Sequence, residues 1–311
     1  MSEATLGLAV QDYLRLRRSF GYVLAGQDRP LADFARYLDR IGLETVTVEA
    51  ALAWAVEPKA SRLRHYQRLA MVRGFATYLQ AIDSRCEIPA RELLREGRRR
   101  VPPHIYSTEE IAALMRHSRD LRPPFRAMTI ETAIGLLAVT GMRSGEVVRL
   151  DRAHLDLTAG RIRIIATKFN KSRELALHPT TAKALDIYRR ERDRLWPQPA
   201  TSRFFVSSRG GGLSQSNLEH TFGQLVNETG LVPPPESRTR RPRLHDLRHS
   251  FVVSTLIGWH RDGSDVQTLL PALSAQMGHV DPASTYWYLT GVPELLAATS
   301  ERVQASKAAR Q

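Results

Sequence analysis

Apolar positions in residues 6–97 recur at helical spacing and show no strand-like alternation. Leu6, Val10, Leu14 and Phe20 make a first series. In LADFARYLDRIG, Leu31, Phe34, Ala35 and Leu38 share one face of a second helix, which Gly42 closes. TVEAALAWAV predicts a third helix capped by Thr47, and SRLRHYQRLAMVRGFATYLQAI a fourth. EGRRRVPPHIYS then breaks the pattern, because adjacent prolines after a basic triplet stop helices and favour an extended path. A domain boundary is expected there. Just beyond it, Ser107 and Glu110 have the spacing of a capping box and Tyr106 and Ile111 that of a hydrophobic staple, so a new domain starts on a helix.

The second part mixes two periods. MTIETAIGLLAVTG is a nearly all-apolar helix, central to its domain, that ends at the glycine before Met142 and Arg143, and SGEVVRL begins another. RIRIIAT and RELALHP alternate apolar and polar residues around KFNKS, which predicts a β-hairpin with Lys168 at or near its tip. Helices resume at TTAKALDIYRRERDRL, SQSNLEHTFGQLVNETG and DLRHSFVVSTLIGW. The run Gly210 to Gly212 lacks the Lys-Ser/Thr of a phosphate-cradling loop and reads as a turn. In DPASTYWYLT, Asp281 is a natural cap and Pro282 a first helical residue, which puts Tyr288 about two turns into a short helix. The last segment, ELLAATSERVQASKAAR, is too sparsely apolar for a core helix and reads as a docking helix or a frayed tail. The expected fold is mainly α, with a helical bundle over 1–100, a linker over 101–106, a mostly helical mixed α/β domain with a small antiparallel hairpin over 107–291, and a terminal segment over 292–311.

Charge narrows the class of partner. The formal net charge is +13, and 40 of the 45 basic residues are arginine, the side chain best matched to phosphate oxygens. Residues 1–106 carry +5 and residues 107–311 carry +8, so the excess belongs to both parts. A polyanion gripped by both domains, DNA or RNA, fits this balance; arginine-rich solvated faces are the plainer reading. Arg62, Arg64 and Arg68 on the fourth helix, Arg98, Arg99 and Arg100 before the prolines, and Lys171 on the hairpin are the candidate backbone contacts. No run of 18 apolar residues and no signal-peptide pattern occur, which predicts a cytoplasmic, nucleoid-associated chain without a membrane partner. The single cysteine, Cys86, excludes an internal disulfide framework and reads as a bystander thiol at a helix end.

Candidate chemistry concentrates in the second part. His245, Arg248 and His249 in LHDLRHSF stand at i, i+3 and i+4 and can project from one helix face. Arg143 in TGMRSGE, Lys168 in ATKFNKSREL, His279 in MGHV and Tyr288 complete a cationic set with one phenol. Such a set suits a phosphodiester attacked by a tyrosine oxygen. Arg143 and Arg248 would stabilise charge gathering on the non-bridging oxygens, and His245 would accept the phenol proton. Lys168 would protonate the departing 5′ oxygen. Tyr286 is a rival for Tyr288, and Lys171 for Lys168. His249, ahead of Ser250 and Phe251, also reads as a buried, hydrogen-bonded histidine. Two imidazoles four apart could bind zinc, but the Glu of HExxH is missing and an arginine would repel the cation, so neither metal nor cofactor is expected.

These motifs, in this order and spacing, resemble the tyrosine recombinase (phage integrase) family over residues 107 to about 290. TGMRSGE resembles the family's first box, TKFNKSREL its lysine hairpin, LHDLRHSF its second box and MGH its third, with the nucleophile nine residues on. Gln276 and Met277 replace the two leucines common before the third-box glycine, and YWYLT replaces the usual polar approach. The resemblance implies site-specific cutting and rejoining of double-stranded DNA through a covalent 3′-phosphotyrosyl bond, without ATP or metal. It also implies a homotetramer on two DNA sites, with related recombinases or accessory proteins open as further partners. A mobile element is the expected setting. A type IB topoisomerase-like relaxation activity and a catalytically silent accessory role are the alternatives.

Overall fold

The computed structural model describes residues 3–278 apart from 23, 25, 58, 95–101, 166–171, 199, 235 and 238. The chain divides into two units, Met1–Arg100 and Val101–Gln311. Its architecture is mainly α, with one small antiparallel sheet.

The first unit packs α1 (Glu3–Ser19), α2 (Asp28–Arg40), α3 (Val48–Val56) and α4 (Arg62–Gln80) around one apolar core. The periodic residues face inward as their spacing requires: Leu6, Val10 and Leu14 from α1, and Leu31, Phe34, Ala35 and Leu38 from α2, are all buried. Thr47 caps α3 by accepting the Ala50 N–H, and Ser61 does the same for Arg64 at the start of α4. Gly42, at φ +71°, ends the turn after α2, a conformation an L side chain resists. Phe20 departs from the expected series. α1 stops at Ser19, so Phe20 falls in the following turn and is 69% exposed. Cys86 is buried beyond the end of α4, its thiol near the Ala76 carbonyl.

The second unit is built on α6 (Pro124–Thr140), against which α5 (Thr108–Ser118), α8 (Pro179–Leu195) and α10 (Asp246–Arg261) pack. α6 begins earlier than its apolar run, at Pro124, because a proline at the first position forfeits no helical hydrogen bond. The capping box of α5 forms: Ser107 Oγ accepts the Glu110 N–H at 3.2 Å, and the Glu110 carboxylate accepts the Ser107 N–H at 2.8 Å. α7 (Ser144–Arg149) packs against α6 and α9 (Gln215–Glu228), and α9 also packs against α5. The two hairpin strands are β2 (Arg161–Ile164) and β3 (Arg173–Ala176), antiparallel with Ile162 opposite Leu175, and a two-residue β1 (Leu155–Asp156) joins the other edge of β2. The KFNKS turn lies outside the described residues. Gly210, at φ +79°, turns the chain where a Cβ would strike the Trp196 ring at 2.8 Å, so this glycine run is a turn.

One helix had no sequence expectation. α11 (Val266–Met277) follows α10 and contains Pro271, which interrupts the helical signal without ending the helix. Its start was legible, since Asp265 accepts the N–H groups of Gln267 and Thr268. α10 and α11 share a satellite core of Val252, Val253, Leu256, Leu270, Leu273 and Met277. Among the described residues no helix is long and apolar enough to cross a membrane.

Candidate active site

Arg143 and Arg248 come from distant parts of the chain and meet at the C-terminal end of α11. Arg143 lies where α6 gives way to α7. Gly141 makes that corner at φ +63°, and a Cβ there would come within 2.6 Å of Phe251 and 2.9 Å of Met277. The Glu146 carboxylate accepts the Arg143 backbone N–H at 2.9 Å, which satisfies a donor at the start of α7. The Arg143 guanidinium gives Nη1 to Glu146 at 2.9 Å and Nη2 to the Gly278 carbonyl at 3.0 Å, and keeps 34% of its side chain exposed. Arg248, in the first turn of α10, is buried and donates to the Gly141 carbonyl at 2.7 Å and to the Met277 carbonyl at 2.5 Å.

A third arginine completes the end of α11. Arg173, at the start of β3, gives Nε to the Gln276 carbonyl at 2.7 Å, and its Nη1 and Nη2 bracket the two Glu146 oxygens at 3.0 and 2.7 Å. Three successive carbonyls, of Gln276, Met277 and Gly278, thus each receive a different arginine. These carbonyls have no partners within a helix, and cations at this end also favour its dipole. Burial pushes the Glu146 carboxyl up, but the Arg173 hydrogen bonds, aided by Arg143, outweigh it and hold the group below the ordinary carboxylate range. Gly278 adopts φ +63°, and a Cβ on it would lie 2.9 Å from Arg173. The next residue in the chain is His279.

His245 precedes α10 at its cap position rather than lying inside the helix, and it retains exposed surface. Desolvation, and then the positive charge of Arg248, lower its pKa, with Arg243 and Arg143 acting in the same direction and Asp246 against them. A neutral imidazole at pH 7 follows, which is the form that accepts a proton. The ring stands edge-on to His249 at 5.2 Å. His249, which is half-buried, is more strongly affected: desolvation, then His245 and Arg248, bring its pKa to about 3. Asp246 fixes this turn from full burial, accepting the Arg243 N–H at 2.8 Å and Arg240 at 2.9 Å. A cavity of about 350 Å³ beside His245 is lined by Glu219, Phe222, Gly223, Arg243 and Leu244.

The structure therefore brings together Arg143, His245 and Arg248. Lys168, His279 and Tyr288, the rival Lys171, and Arg98, Arg99 and Arg100 lie outside the described residues. In the first unit, Arg62 and Arg64 are exposed at the start of α4. Arg68 is not a free surface cation. Its guanidinium lies 3.5 Å from the centre of the Trp54 ring and donates to the Trp54 carbonyl at 2.8 Å, because one turn of helix carries it over α3. Glu146 and Arg173 escaped the sequence reading. The one available signal was Glu146 three residues after Arg143, a spacing that lets a carboxylate close on the start of its own helix. Among the described residues no group of three or more His, Cys, Asp or Glu side chains is placed to hold a metal ion.

Comparison with known proteins extends the local picture to the whole chain. Residues 106–292 match the phage integrase family. A Sinorhizobium fredii protein described as an integrase/recombinase, y4rE, is 39% identical over 96% of this chain and 95% of its own length. The tyrosine recombinase XerC of Azotobacter vinelandii is 30% identical over 90% of this chain and 89% of its own. Among solved structures, the Tn1549 transposon integrase in complex with transposon right-end DNA superposes with a TM-score of 0.64 at 16% identity, covering 95% of this chain and 99% of that one. The XerH recombinase bound to a palindromic difH substrate gives 0.63 at 17% identity, over 88% of this chain and 78% of that one. With the family match spanning the two arginines that meet at the end of α11, and with full-length relatives at this identity, the chain belongs to the phage integrase family of tyrosine recombinases, enzymes that break and rejoin DNA strands by transesterification.

Proposed function

We propose that this chain is a site-specific DNA recombinase of a mobile element that cuts and reseals duplex DNA through a 3′-phosphotyrosyl bond at Tyr288. The observation that carries this reading is the meeting of Arg143 and Arg248 at the Met277–Gly278 carbonyls, one residue before His279, with a proton-accepting His245 in the same helix turn. The Tyr288 oxygen attacks the scissile phosphorus while His245 takes the phenol proton. The bond from phosphorus to the 5′ oxygen breaks, and Lys168 protonates that oxygen as it leaves. Arg143, Arg248 and His279 stabilise the charge on the non-bridging oxygens. A 5′ hydroxyl of a partner strand then attacks the phosphotyrosyl bond, which has kept the energy of the original linkage, and releases the phenol. The unit before the linker at 101–106 grips the duplex, with Arg62 and Arg64 as phosphate contacts, and the unit over 107–291 performs the chemistry. Four copies assemble on two sites, with 292–311 packing on a neighbour. Similarity to an integrase/recombinase of Sinorhizobium fredii and to a transposon integrase in complex with DNA supports the mobile-element setting.

The test uses nicked duplexes tiled across the DNA flanking the chain's own coding region, where a nick beside the cut traps the covalent complex. A protein–DNA adduct stable to detergent is expected, lost in Tyr288→Phe and Lys168→Ala and retained in Tyr286→Phe and Lys171→Ala. An adduct that survives Tyr288→Phe, or none on any of the duplexes, would sink the reading.

A further inference from the structure

Glu146 poses an electrostatic problem that Arg173 solves. A carboxylate beside Arg143 alone would cancel the charge that a phosphate needs, since one guanidinium against one carboxylate leaves nothing. With Arg173 also paired to Glu146, two guanidiniums face one carboxylate and one unit of positive charge remains at the pair. The geometry divides the work. Arg173 is 11% exposed and turns Nε, Nη1 and Nη2 to Gln276 and Glu146, whereas Arg143 keeps 34% of its side chain exposed and gives only Nη1 to Glu146. The groups facing Glu146 are Arg143 at the head of its own helix and Arg173 from β3; on its own element Arg149 lies over Gly145, and Arg248 from α10 reaches the same end of α11 through Met277.

We infer that Arg173 is a positioning residue for strand cleavage: it neutralises Glu146 and ties the end of α11 to β3, so that Glu146 orients Arg143 without consuming its charge. This rests on reading the site as the strand-transfer centre. It adds a consequence that simple structural support would not have. Without Arg173, the largest of the contributions that oppose burial is gone, and the Glu146 carboxyl moves upward, with only Arg143 left to hold it down. Once protonated it cannot hold Arg143 by a charge-assisted bond.

Two measurements on the full chain test this. The first needs no DNA: with glutamate side chains labelled at the carboxyl carbon, the resonance missing in Glu146→Gln identifies Glu146 in an NMR titration. It is expected to titrate below the ordinary carboxylate value in the native protein and higher than that in Arg173→Ala. Identical titration in both overturns the inference, whether or not a target site is in hand. The second is single-turnover adduct formation on the nicked target at saturating protein. Arg173→Ala is expected to slow it by about 100-fold near pH 6, the size of effect produced by slight misplacement of a reacting group, with recovery as Glu146 ionises at higher pH. In a Glu146→Gln background the effect of removing Arg173 becomes independent of pH. Arg173→Lys, which keeps the charge but not the paired donors, is expected to be slowed less and to keep the native pH profile. A pH-independent defect, effects that multiply in the double variant, or a weaker DNA affinity with a smaller salt dependence would each overturn the assignment. The last outcome would make Arg173 a direct phosphate contact. If the native chain forms no adduct, the recombinase reading fails while the titration still decides the role of Arg173.

Discussion

The two units keep their charges in different places. Trp54 is the largest fully buried side chain of the first unit, and charge only touches its edges: Asp33 accepts the indole N–H at 3.1 Å and Arg68 lies across the ring. In the second unit the charges themselves are interior. Arg192, Asp246, Arg248 and Glu146 are all buried, and each is held by several hydrogen bonds. Burying an ion costs several kcal/mol before its partners offset the loss, so this arrangement is a poor way to gain stability. It is an effective way to fix donors in space, as a site that stabilises developing charge requires. The first interior resembles an ordinary core; the second gives up stability to hold groups in place.

Paired truncations would break this contrast most directly. Arg248→Ala should slow adduct formation by about 1000-fold under conditions where the chain remains folded, since it removes a buried donor set at the proposed phosphate site. Trp54→Ala should cost about 3–5 kcal/mol of stability, read from denaturant unfolding of the full chain, while leaving the adduct rate per folded molecule unchanged. If Trp54→Ala slowed the chemistry as much as Arg248→Ala, the division between a stabilising and a positioning interior would be wrong.

What was legible in the sequence was local. The faces of α1 and α2, the Thr47 and Ser107 caps and the two hairpin strands each depend on residues a few positions apart, so their spacing carries the information. Arg143 and Arg248 were legible through motifs. The Arg173–Glu146 pair was not, because its partners lie 27 residues apart and only the docking of β3 beside α7 joins them. Pro271 hid α11, although Val266, Leu270, Leu273 and Met277 keep helical spacing across it. β1, with two residues, is too short to show alternation. Arg68 counted with Arg62 and Arg64 as a surface cation, since a helix face says nothing about which neighbour covers it. The assignments of Lys168, His279 and Tyr288 rest on the sequence motifs alone.

A smaller effect tests the charged interior through pH. His249 is a base whose folded pKa, about 3, lies below its ordinary value of 6.5. Such a group contributes stability that is fully present above the unfolded pKa and is lost as pH falls toward the folded one, because the unfolded chain takes up the proton first. The facing groups that oppose protonation are His245, Arg248, Arg240 and Arg243. Between about pH 6 and pH 4 this single site contributes a slope approaching 1.4 kcal/mol per pH unit. His249→Gln should flatten the pH dependence of unfolding over that interval. An unchanged slope would show that the histidine carries its charge in the folded chain.

The smallest effects should separate the three arginines of α4, which the sequence treats alike. Arg68→Met keeps a long side chain over Trp54 but loses the cation–π contact and the bond to the Trp54 carbonyl, a loss of about 1 kcal/mol or somewhat more in unfolding free energy. Arg62→Ala and Arg64→Ala remove exposed side chains and should leave unfolding unchanged. Their effect belongs to DNA binding. Each phosphate contact removed should weaken affinity for specific and unrelated duplexes alike and reduce the slope of log affinity against log salt by about 0.9. Arg68→Met should leave that slope intact, because a guanidinium committed to an indole and a carbonyl releases no counterions when DNA binds. If Arg68→Met lowered the slope and Arg64→Ala did not, the grip on DNA would run across the Trp54 side of the bundle, and the first unit, like the second, would use a half-buried charge for function.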